Sequence, residues 1–478
     1  PVILLAMSTW RLYFSLIRSI SIIDFSKKIG MAESVKICLT LRDHKKRGLQ
    51  SHRFYYRIGG ASKKENIHMK KNAIVGQSGG PTAVINASLY GVIREGINQE
   101  AIDHVYGMIN GIEGYMSGTC MDLTADLTSD ELEILKLTPA AYLGSCRYKL
   151  PEDLSSPFYP ALFEKFRKMN IGYFFYIGGN DSMDTVSKLS RYASHHHSEI
   201  RFIGVPKTID NDLVLTDHTP GYGSAAKYVA DTVREIVLDS SVYQQKSVTI
   251  VELMGRHAGW VTAASALARK YEGDNPVLIY LPETHFDFEQ FTEDVTAALS
   301  KNSTVVICIS EGISDARGKF ICEYADAARL DTFGHKMLTG SGKMLENFIR
   351  DKFGVKVRSI ELNVNQRCSG MMASATDIEE SVLAGREGVK AAVSGLTGRM
   401  ISFIRNENGP YHLECGTVDV NEVCNREKLF PSEWMNPRGT DVTQAFIDYA
   451  LPLIQGEVQR KTESGRPVYL YRKSPVQK

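Results

Sequence analysis

From residue 73 to residue 362 the chain alternates short apolar runs with glycine-rich or polar loops, each followed by a segment whose apolar residues recur at helical spacing. The apolar runs 73–75, 173–177, 202–205, 248–252, 277–281, 305–310 and 358–362 read as short, fully buried strands. Helical patterns cover 83–97, the stretch from Ser182, 221–237, the stretch after Trp260 to Arg269, 288–300, 342–352 and 377–393. Residues 106–118 are glycine-rich and read as a loop with a short helix, 139–150 as a loop, and His195–His197 as a solvated loop. Strand, loop and helix in repeated succession predict an α/β protein built on doubly wound parallel sheets, whose ligands gather at the carboxyl ends of the strands.

Length and composition narrow the class without changing that picture. The 478 residues are enough for a large core, and 43% hydrophobic with 23% charged residues is ordinary for a globular protein. A net charge of +1 argues against nucleic acid as the main partner, and no apolar stretch reaches transmembrane length. The eight cysteines are scattered with no C-x-x-C pair, which argues against a zinc site or disulfide framework and fits a reducing, cytoplasmic compartment.

The charge is unevenly placed. Residues 1–68 carry thirteen Lys and Arg against four Asp and Glu; the rest of the chain carries 43 against 51. This head lacks the strand–loop–helix rhythm. Its apolar run 12–23, with Arg11 and Arg18, resembles a transit peptide, and its basic run suits a nucleic-acid or membrane arm. The favoured reading is sequence from upstream of the true start, since Met69-Lys-Lys directly precedes the first strand and residue 1 is proline. Residues 1–68 are therefore expected to be a poorly ordered, dispensable extension.

The chemistry concentrates in Pro206-Lys-Thr-Ile-Asp-Asn-Asp212, at the end of the run 202–205. Proline biases the residue before it towards an extended backbone. The lysine and two carboxylates that follow exceed what a turn needs, although a solvated acidic loop would look similar. A carboxylate at a strand end can act as general base, and its neighbour two residues on can reach a metal-bound phosphate. Gly76-Gln-Ser-Gly-Gly-Pro-Thr82 and Gly178-Gly-Asn-Asp-Ser182 each join a strand to a helix, where backbone N–H groups favour anions. The first is neither a Walker loop nor a dinucleotide fingerprint. At the second, Asn180 and Asp181 serve equally well as helix caps. Arg147, in 143–147, is a surface arginine or a phosphate ligand. With Asp210, Asp212, Arg256, Glu311, Arg358 and Arg367 all read as lying at strand ends, the residues point to phosphoryl transfer to a small phosphorylated acceptor.

Four segments, Gly178–Ser182, Pro206–Asp212, Met254-Gly-Arg-His-Ala-Gly-Trp260 and Gln366-Arg367, closely resemble the phosphofructokinase family, in that family's order and across residues 69 to about 460. The resemblance implies two similar, interleaved α/β lobes over 69–478 with the active site between them. It implies that Asp210 is the base for the sugar's 1-hydroxyl, that Thr208 and Ile209 meet the substrate, and that Met254, Gly255, Arg256 and Glu311 hold fructose 6-phosphate. Arg358, Gln366 and Arg367 fall in its 6-phosphate site, with Arg358 commonly supplied by a neighbouring subunit, so a homodimer or homotetramer is expected. Gly80 and Arg147 match donor-phosphate contacts, while Asn180 and Asp212 stand where Mg²⁺ is managed.

Two positions bear on the donor. Members using ATP usually carry glycine at positions 181 and 207, where this chain has Asp181 and Lys207. The resemblance is therefore to the pyrophosphate-dependent branch, with Lys207 pairing with pyrophosphate and Asp181 repelling a third phosphate. Asn180 replaces the more usual aspartate, Asn363 and Val364 depart from the residues common before Gln-Arg, and Ser247 stands where many members keep arginine. These departures leave a broader acceptor range, such as sedoheptulose 7-phosphate, open. The rival readings are an ATP-dependent kinase, a silent regulatory subunit, a dinucleotide oxidoreductase and a binding module. The last three fit poorly with Asp210 and Arg256 both present and no ribose-binding acid after the first loop.

Overall fold

The computed structural model describes residues 70–324, 340–406 and 408–472; the basic head and the transit-like run within it lie outside them. Eleven strands form two sheets. The larger takes β1 (Lys71–Gln77), β2 (Ile102–Met108), β3 (Cys120–Asp122), β4 (Ile171–Gly178), β5 (Arg201–Pro206), β10 (Arg399–Arg405) and β11 (Leu413–Asp419). Their order is β11-β10-β5-β4-β1-β2-β3, parallel except at the two edge strands. The smaller sheet is wholly parallel, with β6 (Ser247–Leu253), β7 (Leu278–Tyr280), β8 (Thr304–Ser310) and β9 (Lys356–Glu361) in the order β7-β8-β6-β9.

The central strands form where the chain is continuously apolar, because helices cover both faces. β8 is buried at every position. On the larger sheet, one face packs against α1 (Ile85–Asn98) and α7 (Ala375–Val393), the other against α2 (Phe158–Lys168) and α3 (Asn180–His195). The smaller sheet is sandwiched between α4 (Tyr222–Ser240) with the C-terminal segment on one face, and α5 (Phe288–Lys301) with α6 (Ser341–Phe353) on the other. Two glycines let α1 and α7 touch backbone to backbone. A Cβ at Gly91 or Gly385 would come within 2.2 Å of a carbonyl of the other helix. The chain thus returns to the larger sheet after building the smaller one.

Both sheets have a topological switch, and the switch points are where loops can open around a ligand. In the larger sheet the chain runs outward from β1 to β2 and β3 on one side, then crosses over and runs outward through β4 and β5 on the other, so the loops after β1 and β4 diverge. In the smaller sheet the switch lies at β6, flanked by β8 and β9. Strand ends are level, with Gly178 opposite Pro206 and Leu253 opposite Ser310.

Three expectations need correction. Residues 102–108, which include the start of the supposed glycine loop, form β2, and only Gly111–Met116 is helical; the strand sits next to an edge, so its Asp103 and His104 blurred the apolar pattern. The helix after Trp260 lasts one turn before becoming 3₁₀ over Ala264–Ala268. Arg358 is not at a carboxyl end: it is the third residue of β9, pairing with Thr249 near the start of β6, towards the amino ends of the strands and away from the switch loops.

Candidate active site

The heptapeptide leaves β5 held by its neighbours' backbones. The Lys207 amide donates to the Gly178 carbonyl at 3.0 Å and the Thr208 amide to the Pro220 carbonyl at 3.2 Å. Asn211 adopts left-handed φ of 55°, tolerable for asparagine, with its side chain bonded to the Tyr449 hydroxyl at 2.9 Å and accepting the Thr219 amide at 3.1 Å. Asn211 is thus the buried pin between two carboxylates that face the site. Thr208 steadies the first: its hydroxyl accepts the Asp210 amide at 3.1 Å and donates to Asp210 Oδ2 at 3.4 Å. Ile209 is buried against the core.

Lys207 is 3% exposed, and its Nζ donates to the Gly80 carbonyl at 2.7 Å. A Cβ at Gly79 would lie 3.3 Å from that amine, and one at Gly80 would lie 3.0 Å from Arg367 Nη1. The glycines therefore let a lysine and an arginine close onto the loop's backbone. Burial pushes the Lys207 amine down to about 8, against the pull of Asp210 and Asp212, with Arg367 and Arg147 adding to the drop. Asp210 is raised by the same burial, though Lys207, Thr208, Arg367 and Arg256 oppose it. Asp212 is raised to about 7 by burial and by Asp210 beside it.

From the smaller sheet, the Glu311 amide donates to the Leu253 carbonyl at 2.8 Å, which sets Glu311 beside the loop after β6. Its Oε1 faces the Gly255 amide at 3.5 Å. Gly255 has φ of 139°, and a Cβ there would lie 2.7 Å from the Ala258 carbonyl, so only glycine makes this turn. Burial raises Glu311 to about 7, the Gly255 N–H opposes it, and Asp210 adds to it from across the site. Met254 and Glu311 also line a small cavity with Glu252, Leu253, Glu361 and Asn363. Gln366 is buried, donating to the Asn363 carbonyl at 3.0 Å.

Lys207, Asp210, Asp212, Arg147, Arg256, Glu311 and Arg367 thus share one electrostatic field. Three expected members stand apart. Arg358 is exposed, with Nη1 3.8 Å from Asp239 Oδ2. Asp181 does not share the space of Lys207; it is 80% exposed, 3.6 Å from Lys149 Nζ. Asn180 has both ends of its amide engaged by the backbone of residues 425 and 426.

Other residues came into view only with the fold. Lys428 donates its amide to the Asp212 carbonyl at 2.7 Å, and Glu252 accepts the amides of Gly340 and Gly342 at 3.1 and 2.7 Å. Glu252 left a trace in the sequence, an acid inside an apolar strand. Lys428 left none.

A set of opposed carboxylates, a buried amine and converging guanidinium groups, placed between two switch-point loops, defines an enzyme of phosphoryl transfer. The phosphofructokinase model matches residues 72–392, and the chain belongs to the phosphofructokinase family. It is 39% identical to a protein of Halomonas elongata named pyrophosphate–fructose 6-phosphate 1-phosphotransferase, over 83% of this chain and 94% of that one. A protein of the same name from Methylococcus capsulatus is 37% identical over 84% and 95%. The crystal structure of a pyrophosphate-dependent phosphofructokinase from Nitrosospira multiformis superposes with a TM-score of 0.76 at 35% identity, covering 84% of this chain and 96% of that one.

Enzymes of this family generally need a divalent metal. The residues present suit one. Asp212 Oδ1 is buried with no hydrogen-bond partner, and its carboxylate sits beside a second. Among the described residues no three His, Cys, Asp or Glu side chains form a cage. Such a site matches a hard cation that shares its ligands between one or two carboxylates and substrate phosphate. No helix among the described residues is long and apolar enough to cross a membrane.

Proposed function

We propose that this protein catalyses the reversible transfer of a phosphoryl group from pyrophosphate to the 1-hydroxyl of fructose 6-phosphate, giving fructose 1,6-bisphosphate and phosphate. One observation carries the choice of donor: the Lys207 amine is buried against the carbonyl of Gly80, inside the glycine loop. An ammonium group there pairs with the outer phosphoryl group of pyrophosphate and occupies the room that a nucleotide's α-phosphate needs. Opposite charges in contact at an effective dielectric of 20 attract by roughly 4 kcal/mol, so the preference is strong. Asp181, facing solvent beside Lys149, acts at the rim rather than in the pocket.

In the forward direction the Asp210 carboxylate takes the proton of the 1-hydroxyl as that oxygen bonds to phosphorus and the bridging P–O bond breaks, releasing phosphate. In reverse the same carboxyl returns the proton. Its raised proton affinity favours the taking of that proton, and the same group can give it back. Lys207, Gly80 and Arg147 hold pyrophosphate, while Thr208, Ile209, Met254, Gly255, Arg256, Glu311, Gln366 and Arg367 hold the sugar phosphate. We assign the metal as Mg²⁺, held by Asp212; when bound it supplies positive charge to the oxygens of the transferring group.

We propose a homodimer or a higher homo-oligomer in which Arg358, exposed and away from the carboxyl ends of its own sheet, serves a second copy. We also propose a cytoplasmic enzyme whose catalytic body is residues 69–478. A chain beginning at Met69 then keeps full activity, and its loss would refute that boundary. The function itself is tested by fructose 6-phosphate turnover with Mg²⁺ and either donor. Pyrophosphate should exceed ATP in kcat/KM by at least about 100-fold. A preference for ATP would overturn the assignment.

A further inference from the structure

The Asn180 amide makes two contacts that no single carboxylate can make. Its Oδ1 accepts the Asn425 amide and its Nδ2 donates to the Arg426 carbonyl, both at 2.5 Å. This pair sets which end of the amide is oxygen. Asn425 itself turns with left-handed φ of 61°.

The segment so gripped, residues 425–430, is fixed at four more points. The Lys428 amide donates to the Asp212 carbonyl at 2.7 Å, and Lys428 Nζ donates to the Asp217 carbonyl at 2.7 Å. Trp260 Nε1 donates to the Lys428 carbonyl at 3.0 Å. The Phe430 amide donates to Glu283 Oε1 at 2.8 Å, and the same oxygen accepts the Gly259 amide at 2.9 Å. One strap thus links the start of α3, the heptapeptide, and the loop after β6. It lies beyond the residues that the family model matches.

The geometry points to Asn180 as a positioning residue, the latch of a strap over 425–430 that ties the loop after β4 to the carboxylate loop and the loop after β6, rather than a ligand of the metal. The asparagine at this position then has a chemical reason. An aspartate would keep the contact to the Asn425 amide but would set a negative oxygen against the Arg426 carbonyl, and the latch would open. The strap acts on the reaction by holding the backbone of Asp212, two residues from the proposed base. The consequence for turnover rests on the function proposed above. The strap itself does not.

The test compares the full chain with its Asn180→Asp variant. Arg426 is exposed, so trypsin reports on the latch without any assay of turnover. We expect cleavage after Arg426 to quicken by about tenfold or more, kcat to fall about tenfold, and both KM values to stay within about threefold. The Mg²⁺ concentration for half-maximal rate should not fall. A metal ligand at 180 would bind Mg²⁺ more tightly as a carboxylate, so a lower requirement with unchanged cleavage would overturn the proposal. Trp260→Phe, which removes the N–H to the Lys428 carbonyl, should open the same tryptic site to a smaller degree. Should either variant fold poorly, hydrogen exchange in the unaltered protein decides: the Asn425 and Lys428 amides are expected to be slowed at least about 100-fold, and free exchange at both would refute the strap. Fast cleavage in an enzyme that turns over neither donor would leave the strap standing and sink the function instead.

Discussion

At the donor end of the site, the glycine loop after β1 closes on a buried lysine amine, and every group that would meet pyrophosphate comes from one chain. At the acceptor end, three carboxylates (Glu252, Glu311 and Glu361) crowd the cavity at the ends of β6, β8 and β9, and Arg358, exposed beside Asp239, does not line it. The first region is a finished anion site. The second gathers three acids, with Arg256 and Arg367 reaching the same field. The surplus of acid there opposes an anionic acceptor, and the second copy proposed above would bring Arg358 to offset it.

The comparison can be broken most severely at the residue that both ends share. Asp210→Ala should lower kcat by about 10³-fold or more with the fold intact, as loss of a general base does. Normal turnover by a well-folded variant would remove the mechanism. Next in size is Lys207→Gly. It should cut kcat/KM for pyrophosphate by about 100-fold and raise the ATP-to-pyrophosphate ratio by more. Adding Asp181→Gly should change little beyond this, because Asp181 faces solvent. A large further gain in the double variant would return Asp181 to the pocket.

Arg358→Ala should raise KM for fructose 6-phosphate by about 10- to 100-fold while leaving KM for pyrophosphate unchanged. Mixed with Asp210→Ala, it should regain activity, since each copy repairs what the other lacks. Absence of recovery in a shared oligomer would place Arg358 outside the partner's site.

The smallest effect concerns pH. Glu252 is raised to about 8, by burial first, then by Glu361 and Glu311 against the opposing N–H groups of Gly342 and Gly340. Glu311 is raised to about 7. A carboxyl that holds its proton more tightly when folded makes the folded state bind more protons than the unfolded state, so stability falls as pH rises from the ordinary carboxyl range through the folded value. The ligand-free protein should therefore lose a few degrees of Tm between about pH 5 and pH 8, and Glu252→Gln should flatten that slope. An equally steep slope in the variant would show that the acid cluster is not its source. Pyrophosphate, bound at the other end in the proposed scheme, should leave the slope nearly unaltered.

Apart from β2 and β3, the strands between residues 73 and 310, the heptapeptide, the glycine loops and the sugar loop are legible from local pattern, because buried parallel strands are continuous apolar runs and the charged residues after them stand out. β2 was obscured by Asp103 and His104. The reading of Arg358 failed on position within its strand: a residue's distance from a strand end depends on where pairing with β6 starts and stops, and register is a property of two segments.

What the chain determined alone is therefore local: which runs are buried, where they stop, and which charges follow them. The tertiary structure decided which of those charges meet. It brought Glu311 into the field of Asp210, turned Asp181 outward, left Arg358 exposed beside Asp239, and laid residues 425–430 across Asn180 and Asp212, some 245 positions from the former. Contacts at that separation depend on the packing of two sheets against their helices, and no window of sequence contains that information.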